Sequence, residues 1–390
     1  MSVREIAIWP NRLVCGTGSL ERLPAVLHDL GCARAFVICG QTIAGGPVFS
    51  ALKALLGPAF AGSFTDVKMH SPLPDLSALV EQIKACKADV LISVGGGSAI
   101  DAAKGASLLL ASGGDLDRYA IDYASAGMKR DLLPRRSIAH VSIPTTAGSA
   151  SEVMPTAGIR DPEKRKKMLF WDDLLIPEVV ILDPYVGTFA NARLTSMSGM
   201  TAVARCVESL YSKDRHPVST ALSLHALRLL KRALPQAVAN PEDLQARSDA
   251  QYACFMSGTA AINAMVSLVH AVGHAVGGRF ALQHGVSHAI LLAPSMRLLM
   301  PVIGDDQKLV LEAMGQNTAG MSADAAGAAA ADAIEALVDA LPIPKRLREL
   351  NVTQADLAEI AAHTEHEYMM ANLPRPVSTA EVEALLKSCW

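Results

Sequence analysis

Aromatic residues are scarce in this chain: Phe, Trp and Tyr together make up 4% of its 390 residues. An excess of positive charge is also missing, because 35 Lys and Arg stand against 38 Asp and Glu for a formal net charge of −3. Together these exclude the basic footprint and stacking platforms of a nucleic-acid binder. Paired-cysteine spacing is absent. Cys15, Cys32, Cys39, Cys86, Cys206, Cys254 and Cys389 are scattered without a CxxC pair, which argues against a zinc cluster or a disulfide framework and for reduced thiols. No apolar run approaches the ~20 residues of a membrane span, since stretches such as 106–111 and 290–293 are short and interrupted. The opening MSVREIAIWPNRLV carries charge and alternates like a strand, without the apolar core of a signal peptide. A cytoplasmic protein with no membrane partner is the expectation.

Hydrophobic residues, by contrast, make up 51% of the chain, and its length is sufficient for two cores. The first half alternates short β-like runs with helical ones: 35–39 before 47–56, 89–94 before 100–111, then 137–143 and 178–182. That rhythm predicts a parallel sheet wrapped by helices, closed by Pro184. From Leu194 onward β signals nearly vanish, and helical patterns rich in Ala, Leu and Met run to the C-terminus, as in 219–234 and 325–341. The expected organisation is an α/β nucleotide-type domain over 1–185 and an all-helical domain over 186–390, with the site in the cleft between them. The basic run 164–167 reads as a solvated turn.

Within the first half, LISVGGGSAIDAAKG (91–105) writes a buried strand, a three-glycine turn and a helix start. Gly95, Gly96 and Gly97 keep Cβ atoms away from a ligand, and successive backbone N–H groups at a helix N-terminus favour an anion such as a pyrophosphate. Ser98 offers a hydroxyl, and Asp101 is placed to cap or orient the turn. The pattern is neither GxGxxG nor GxxxxGK[ST], and a tight turn without a ligand is the plain alternative. In the second half, LVHAVGHAVGGRFALQHGVSHA (268–289) sets His270 and His274 four apart, then His284 after a Gly-Gly break and His288 four further on. Imidazoles at i and i+4 share one helix face, a geometry that serves metal ligation and plain histidine packing alike.

These segments, together with PTTAGSASEV (144–153), IPEVVILDP (176–184), SGMTAVARCVESLYS (198–212) and NLPRP (372–376), resemble the iron-containing, or group III, alcohol dehydrogenase family in order and spacing over essentially the whole chain. The resemblance implies the dehydroquinate synthase-like fold: an N-terminal parallel-sheet dinucleotide-binding domain followed by a helical domain. It implies NAD(P)-dependent interconversion of an alcohol with an aldehyde or ketone. By the same pattern Gly95, Gly96, Gly97 and Ser98 hold the pyrophosphate, while Thr145, Thr146, Ser149 and Lys167 line the cofactor. The N-terminal run 3–14 corresponds to a segment that pairs across a two-fold axis in the family, so a homodimer is expected.

One departure changes the chemistry. Where the family reads GMDALTHAIEA, this chain reads GMTAVARCVES (199–209), so Thr201 and Arg205 stand at the Asp and His ligand positions while His270 and His284 match the other two. A guanidinium keeps its proton, with a pKa above about 12, and has no lone pair to give a cation. The expectation is therefore an enzyme without a catalytic metal, in which Arg205 stabilises an incipient alkoxide or fixes a substrate carboxylate. A structural ion pair from Arg205 to Glu208 or Glu152 is the competing reading. His274 matches the family position near the nicotinamide and is assigned to proton relay or ring positioning, which suits an imidazole with an ordinary pKa of about 6.5. After the second β-run, Gly40 falls where many NAD-using members carry an Asp that repels a 2′-phosphate, so NADPH is expected to be accepted alongside NADH. A maleylacetate reductase-like enzyme and a cofactor-binding protein that has lost turnover are the alternatives to the alcohol–carbonyl reading.

Overall fold

The computed structural model describes residues 11–68, 71–121, 130–163, 166–280, 282 and 284–390, with backbone only at 166, 167 and 278. Two compact units divide the chain. Of the described residues, one takes those up to Thr146 together with Ala150–Phe189, and the other takes Ala147–Ser149 and Ala190–Trp390. The division falls slightly later than residue 185, and the short segment 147–149 belongs to the second unit.

In the first unit the strands are β1 (Arg12–Cys15), β2 (Ala35–Cys39), β3 (Phe60–Phe64), β4 (Val90–Gly95), β5 (Ala139–Pro144), β6 (Thr156–Asp161), β7 (Lys166–Trp171) and β8 (Val179–Leu182). The helices are α1 (Leu23–Asp29), α2 (Gln41–Ala44), α3 (Pro47–Leu56), α4 (Leu73–Ala85), α5 (Gly97–Ser112) and α6 (Pro184–Gly187). Six strands form an all-parallel sheet in the order β1-β8-β5-β4-β2-β3. Parallel strands need crossovers, and the crossovers cover both faces, which is why AFVIC and VLISV are buried throughout instead of on alternate residues. Val37, Ile92, Val141 and Ile181 point to the face that holds Leu23, Leu27 and Leu52 of α1 and α3. Phe36, Ile38 and Leu91 point to the other, against Leu76 and Leu79 of α4 and Ala103 of α5.

Two departures from the sequence expectation appear in this unit. The antiparallel pair β6–β7 was not foreseen, and the run 164–167 is not simply a turn: 164 and 165 lie outside the described residues, while Lys166 and Lys167 open β7. The reason is the alternation that follows them, since Met168 and Phe170 pair with Ile159 and Ala157 and are buried with them. Of the N-terminal run 3–14, the part before Asn11 lies outside the described residues; the rest enters β1, at the edge of the sheet.

The second unit is helical among its described residues: α7 (Ala192–Tyr211), α8 (Pro217–Ala239), α9 (Leu244–Ala264), α10 (Leu268–Phe280), α11 (His284–Ala313), α12 (Ala323–Asp339), α13 (Leu357–Glu365) and α14 (Thr379–Cys389). Gly277 and Gly278 do not break α10, which runs on to Phe280. The 30-residue α11 is longer and more apolar than the sequence reading allowed and meets the length and composition of a membrane span, but 67% of that window is buried inside the unit, as in a core helix.

A buried histidine gives the sheet a pH signature. His140 in β5 is 2% exposed, with Nε2 2.8 Å from Ser93 Oγ on β4, and burial holds its imidazole down at about 3. Between the ordinary 6.5 and that value the unfolded chain takes up a proton that the folded chain refuses. Acidification through that window therefore costs stability, by up to about 1.4 kcal/mol per pH unit for one such group. Urea titrations from pH 7 to pH 4 are expected to show His140→Gln losing less stability than the parent; equal slopes would contradict the assignment.

Candidate active site

In the sheet unit, chain direction locates the ligand crevice. From β2 the chain leaves towards β3 on one side, and from β4 it leaves towards β5 on the other, with α3 and α5 on opposite faces. The carboxyl ends of β2 and β4 therefore form a switch point, where open α/β sheets bind ligands. Cys39 pairs with Val94 there, so Gly40 lies beside the glycine turn. Gly95 has φ +154°, and a Cβ on it would sit 2.8 Å from Ala99 Cβ; a Cβ on Gly96 would sit 3.3 Å from Thr146 Oγ1. The turn is thus a cradle that side chains would fill, and it opens α5, whose N-cap Gly96 uses no side chain and leaves the first N–H groups outward. These features fit a dinucleotide pyrophosphate.

Thr145 and Thr146 are buried at the end of β5, and Thr145 N donates to Gly95 O at 2.9 Å. Asp101, expected to cap or orient the turn, accepts at Oδ1 a short hydrogen bond from Ser151 Oγ. Behind it Lys104, wholly buried, donates to Met154 O at 2.7 Å, Thr156 O at 3.0 Å and Ser151 O. Burial lowers its ammonium to about 8. Lys104 fixes the backbone that follows the 145–149 turn, a role the sequence reading missed although the residue lies inside its motif. The side chain of Lys167 lies outside the described residues.

In the helical unit one face of α7 organises the site. Residues 197, 201, 205 and 208 recur at helical spacing, so they share a face. At its first turn Gly285 of α11 lies flush against the helix: a Cβ there would be 1.7 Å from Met197 O and 2.9 Å from Thr201 Oγ1. Two turns on, Arg205 is 5% exposed and donates through Nη1 to Gly148 O at 2.7 Å and through Nη2 to Ser149 O. Gly148 is itself pressed onto α7, for a Cβ there would overlap Ser198 O at 1.8 Å. Arg205 thus holds two carbonyls of the segment that includes Ser149.

Glu208 ends the face and is turned to α10 rather than to Arg205. Its Oε1 accepts from Val269 N at 2.8 Å, Ser267 Oγ at 3.1 Å and Ser267 N at 3.2 Å, and its Oε2 meets His270 Nδ1 in a short contact. Burial pushes the carboxyl up to about 7 against the pull of those donors, which stand at the positive end of α10. His270 is held well below its ordinary value by burial and by the Arg205 charge.

The histidines interleave with glycines between α10 and α11. His288 packs into the notch at Gly273 and His284 lies over Gly277. Ring centroids are 4.2 Å apart for His270–His288, 6.0 Å for His284–His288 and 5.1 Å for His274–His284. His274, 30% exposed, has Nδ1 3.5 Å from Glu367 Oε2. The structure therefore brings His270, His274 and His284 together as the sequence implied, and adds His288 and Glu208. Spacing alone marked both: His288 repeats the i, i+4 pattern, and Glu208 lies one turn beyond Arg205.

A four-ligand metal ion does not fit these positions. Arg205 offers donors only and Thr201 Oγ1 reaches back to Met197 O at 3.5 Å, so two of the four positions bring no ligand. Among the described residues no group of three or more His, Cys, Asp or Glu side chains is arranged to hold a metal ion.

Comparison with known proteins accounts for both units. The family description "Iron-containing alcohol dehydrogenase" matches residues 10–184, and "Fe-containing alcohol dehydrogenase family, C-terminal" matches 195–390. The NAD-dependent methanol dehydrogenase of Bacillus methanolicus is 28% identical over 388 residues, covering 97% of this chain and 98% of that protein. Maleylacetate reductase 2 of Cupriavidus pinatubonensis is 30% identical over 390 residues, covering 98% and 95%. A crystal structure of 1,3-propanediol oxidoreductase superposes with a TM-score of 0.90 at 28% identity, over 99% of this chain and all of that one.

The cradle yields a direct expectation. Gly96→Val places two methyl groups where Thr146 already leaves little room, and calorimetry is expected to show NADH and NADPH binding weakened by at least about tenfold, or ~1.4 kcal/mol. Undiminished affinity in a variant with unchanged circular dichroism would show that the nucleotide binds elsewhere.

Proposed function

This chain belongs to the iron-containing alcohol dehydrogenase family, and on that premise we propose that it is an NAD(P)H-dependent enzyme that interconverts a small, anion-bearing alcohol and its carbonyl form without a catalytic metal ion. That it is an NAD(P)-dependent oxidoreductase follows from the family; the substrate charge and the missing metal are our reading. The observation that carries it is the exchange at the ligand positions: a buried guanidinium stands where a metal ligand would.

In this reading the bound nicotinamide gives or takes the hydride, and the chain does the rest. The glycine turn Gly95–Gly97, with Ser98, holds the pyrophosphate through backbone N–H groups, and Thr145, Thr146, Ser149 and Lys167 line the cofactor. Arg205 has its guanidinium plane fixed by the carbonyls of Gly148 and Ser149, and a fixed buried cation stabilises negative charge on a substrate oxygen or carboxylate more than a mobile one in water does. His274, 30% exposed, passes the proton, and His270 and His284 line the substrate. We also propose a cytoplasmic homodimer, supported by seven cysteines that form no disulfide and by β1 at the sheet edge.

A maleylacetate reductase-like reaction, the reduction of an unsaturated dicarboxylate, is favoured as the second reading by the 30% identity over 390 residues to such an enzyme. It uses the same cation on a substrate that carries carboxylates.

Two substitutions separate the parts of this account. Arg205→Met is expected to lower kcat/KM by roughly a hundredfold, most for carboxylate substrates, with a smaller effect on nucleotide affinity. Should it instead weaken nucleotide binding and melting temperature while kcat stands, Arg205 serves only to anchor 147–149. Gly40 has open space where its Cβ would be, so Gly40→Asp is accommodated. The parent is expected to bind NADPH at least as well as NADH, and the variant to prefer NADH; strong rejection of NADPH by the parent would contradict the assignment at this position.

A further inference from the structure

His288 is 1% exposed, and among the described residues neither of its ring nitrogens has a hydrogen-bond partner. Nε2 of His270, whose ring centroid is 4.2 Å away, is buried without one as well. A neutral imidazole carries one donor and one acceptor, and leaving such a group dry is costly. An apolar side chain at 288 would pack between the helices without that cost. The fold instead makes room for the imidazole: at Gly273 a Cβ would lie 2.7 Å from His288 Cδ2 and Nε2, so α10 has a notch where the ring stands. Three open nitrogens on two touching rings, in a recess cut for one of them, are the marks of a site built to meet a polar ligand.

We propose that His270 and His288 together bind one hydroxyl group, the alcohol function of the substrate, whose place water takes in the free protein. The direction of the hydrogen bonds follows from Glu208. Its Oε1 accepts from three donors, and with Oε2 accepting from His270 Nδ1 the imidazole proton stays there and Nε2 presents a lone pair. His288, with both ring nitrogens buried and open, supplies the N–H. One acceptor beside one donor matches a hydroxyl, which both gives and takes a hydrogen bond. A carboxylate, which only accepts, would set an oxygen lone pair against His270 Nε2. The carbonyl form of the same substrate keeps the His288 donor alone, so the pair favours the alcohol. Glu208 is by this account a positioning residue for His270, and His288 a substrate-binding residue. The proposal rests on the oxidoreductase reading but fails separately from it.

Crystals of metal-free protein, with and without propane-1,3-diol, test it. In the free protein one solvent oxygen is expected within hydrogen-bond distance of His270 Nε2 and of a His288 nitrogen, and with the diol a hydroxyl oxygen is expected in its place. A dry recess, a solvent oxygen that the diol does not displace, or an anomalous metal peak at that point would each overturn the proposal. His288→Phe, which keeps the ring and removes both nitrogens, is expected to raise KM for alcohols by about tenfold while leaving the dissociation constant of NADH unchanged. An unaltered KM would also overturn it; if that variant does not fold, the crystals still decide. Absence of turnover on every substrate, with the diol seen in the recess, would remove the proposed reaction and leave the hydroxyl site standing.

Discussion

A guanidinium at 5% exposure must spend its donors, because an unpaired buried cation is among the costliest things a fold can contain. Arg205 spends two of them on the carbonyl oxygens of Gly148 and Ser149, and much of the helical unit's site is arranged around that choice. The segment 147–149 can reach the guanidinium only because Gly148 has no side chain to collide with Ser198. The same face of α7 brings Thr201 against Gly285, and with it the start of α11, while Glu208 at its far end ties down the first turn of α10. Two histidine-bearing helices are thus registered from one helix face, and the imidazoles meet in the glycine notches between them.

The sheet unit solves its problem by different means. Its ligand crevice is a product of topology: strands leave the switch point in opposite directions, and the glycine turn after β4 and Gly40 after β2 fall side by side. Lys104 does for the backbone after 150 what Arg205 does for 148 and 149: each is a buried cation that binds backbone carbonyl oxygens. In both units a charge is placed in the interior to hold irregular backbone. Neither could be replaced by a shorter side chain without stranding several acceptors.

Much of this was legible from residues alone. The β-branched and apolar runs at β2, β4, β5 and β8, the glycine triplet and the helical periodicity after Leu194 correspond to what the chain forms, because each signal is local. The β6–β7 pair was hidden by the charged run before it, since its inward residues declare themselves only against Ala157 and Ile159. The Gly-Gly pair in α10 looked like a break, yet Gly277 is a packing surface, a distinction that depends on His284 standing across from it. Arg205 was identified as anomalous from its position, yet two of its partners are backbone carbonyls 56 and 57 residues earlier, which no side-chain pattern announces. Glu208 was weighed as the arginine's partner, but it belongs to His270, 62 residues on.

The central claim is that a fixed cation of the chain itself does the work at a site where the family's pattern would place a metal ion. Its most direct test is nicotinamide absorbance during turnover by protein exhaustively treated with chelator, its metal content verified by elemental analysis, on carboxylate-bearing aldehydes and ketones and unsaturated dicarboxylates. Undiminished turnover with no stoichiometric metal is the result this account predicts. Activity that vanishes with the metal and returns when iron or zinc is added back would contradict it.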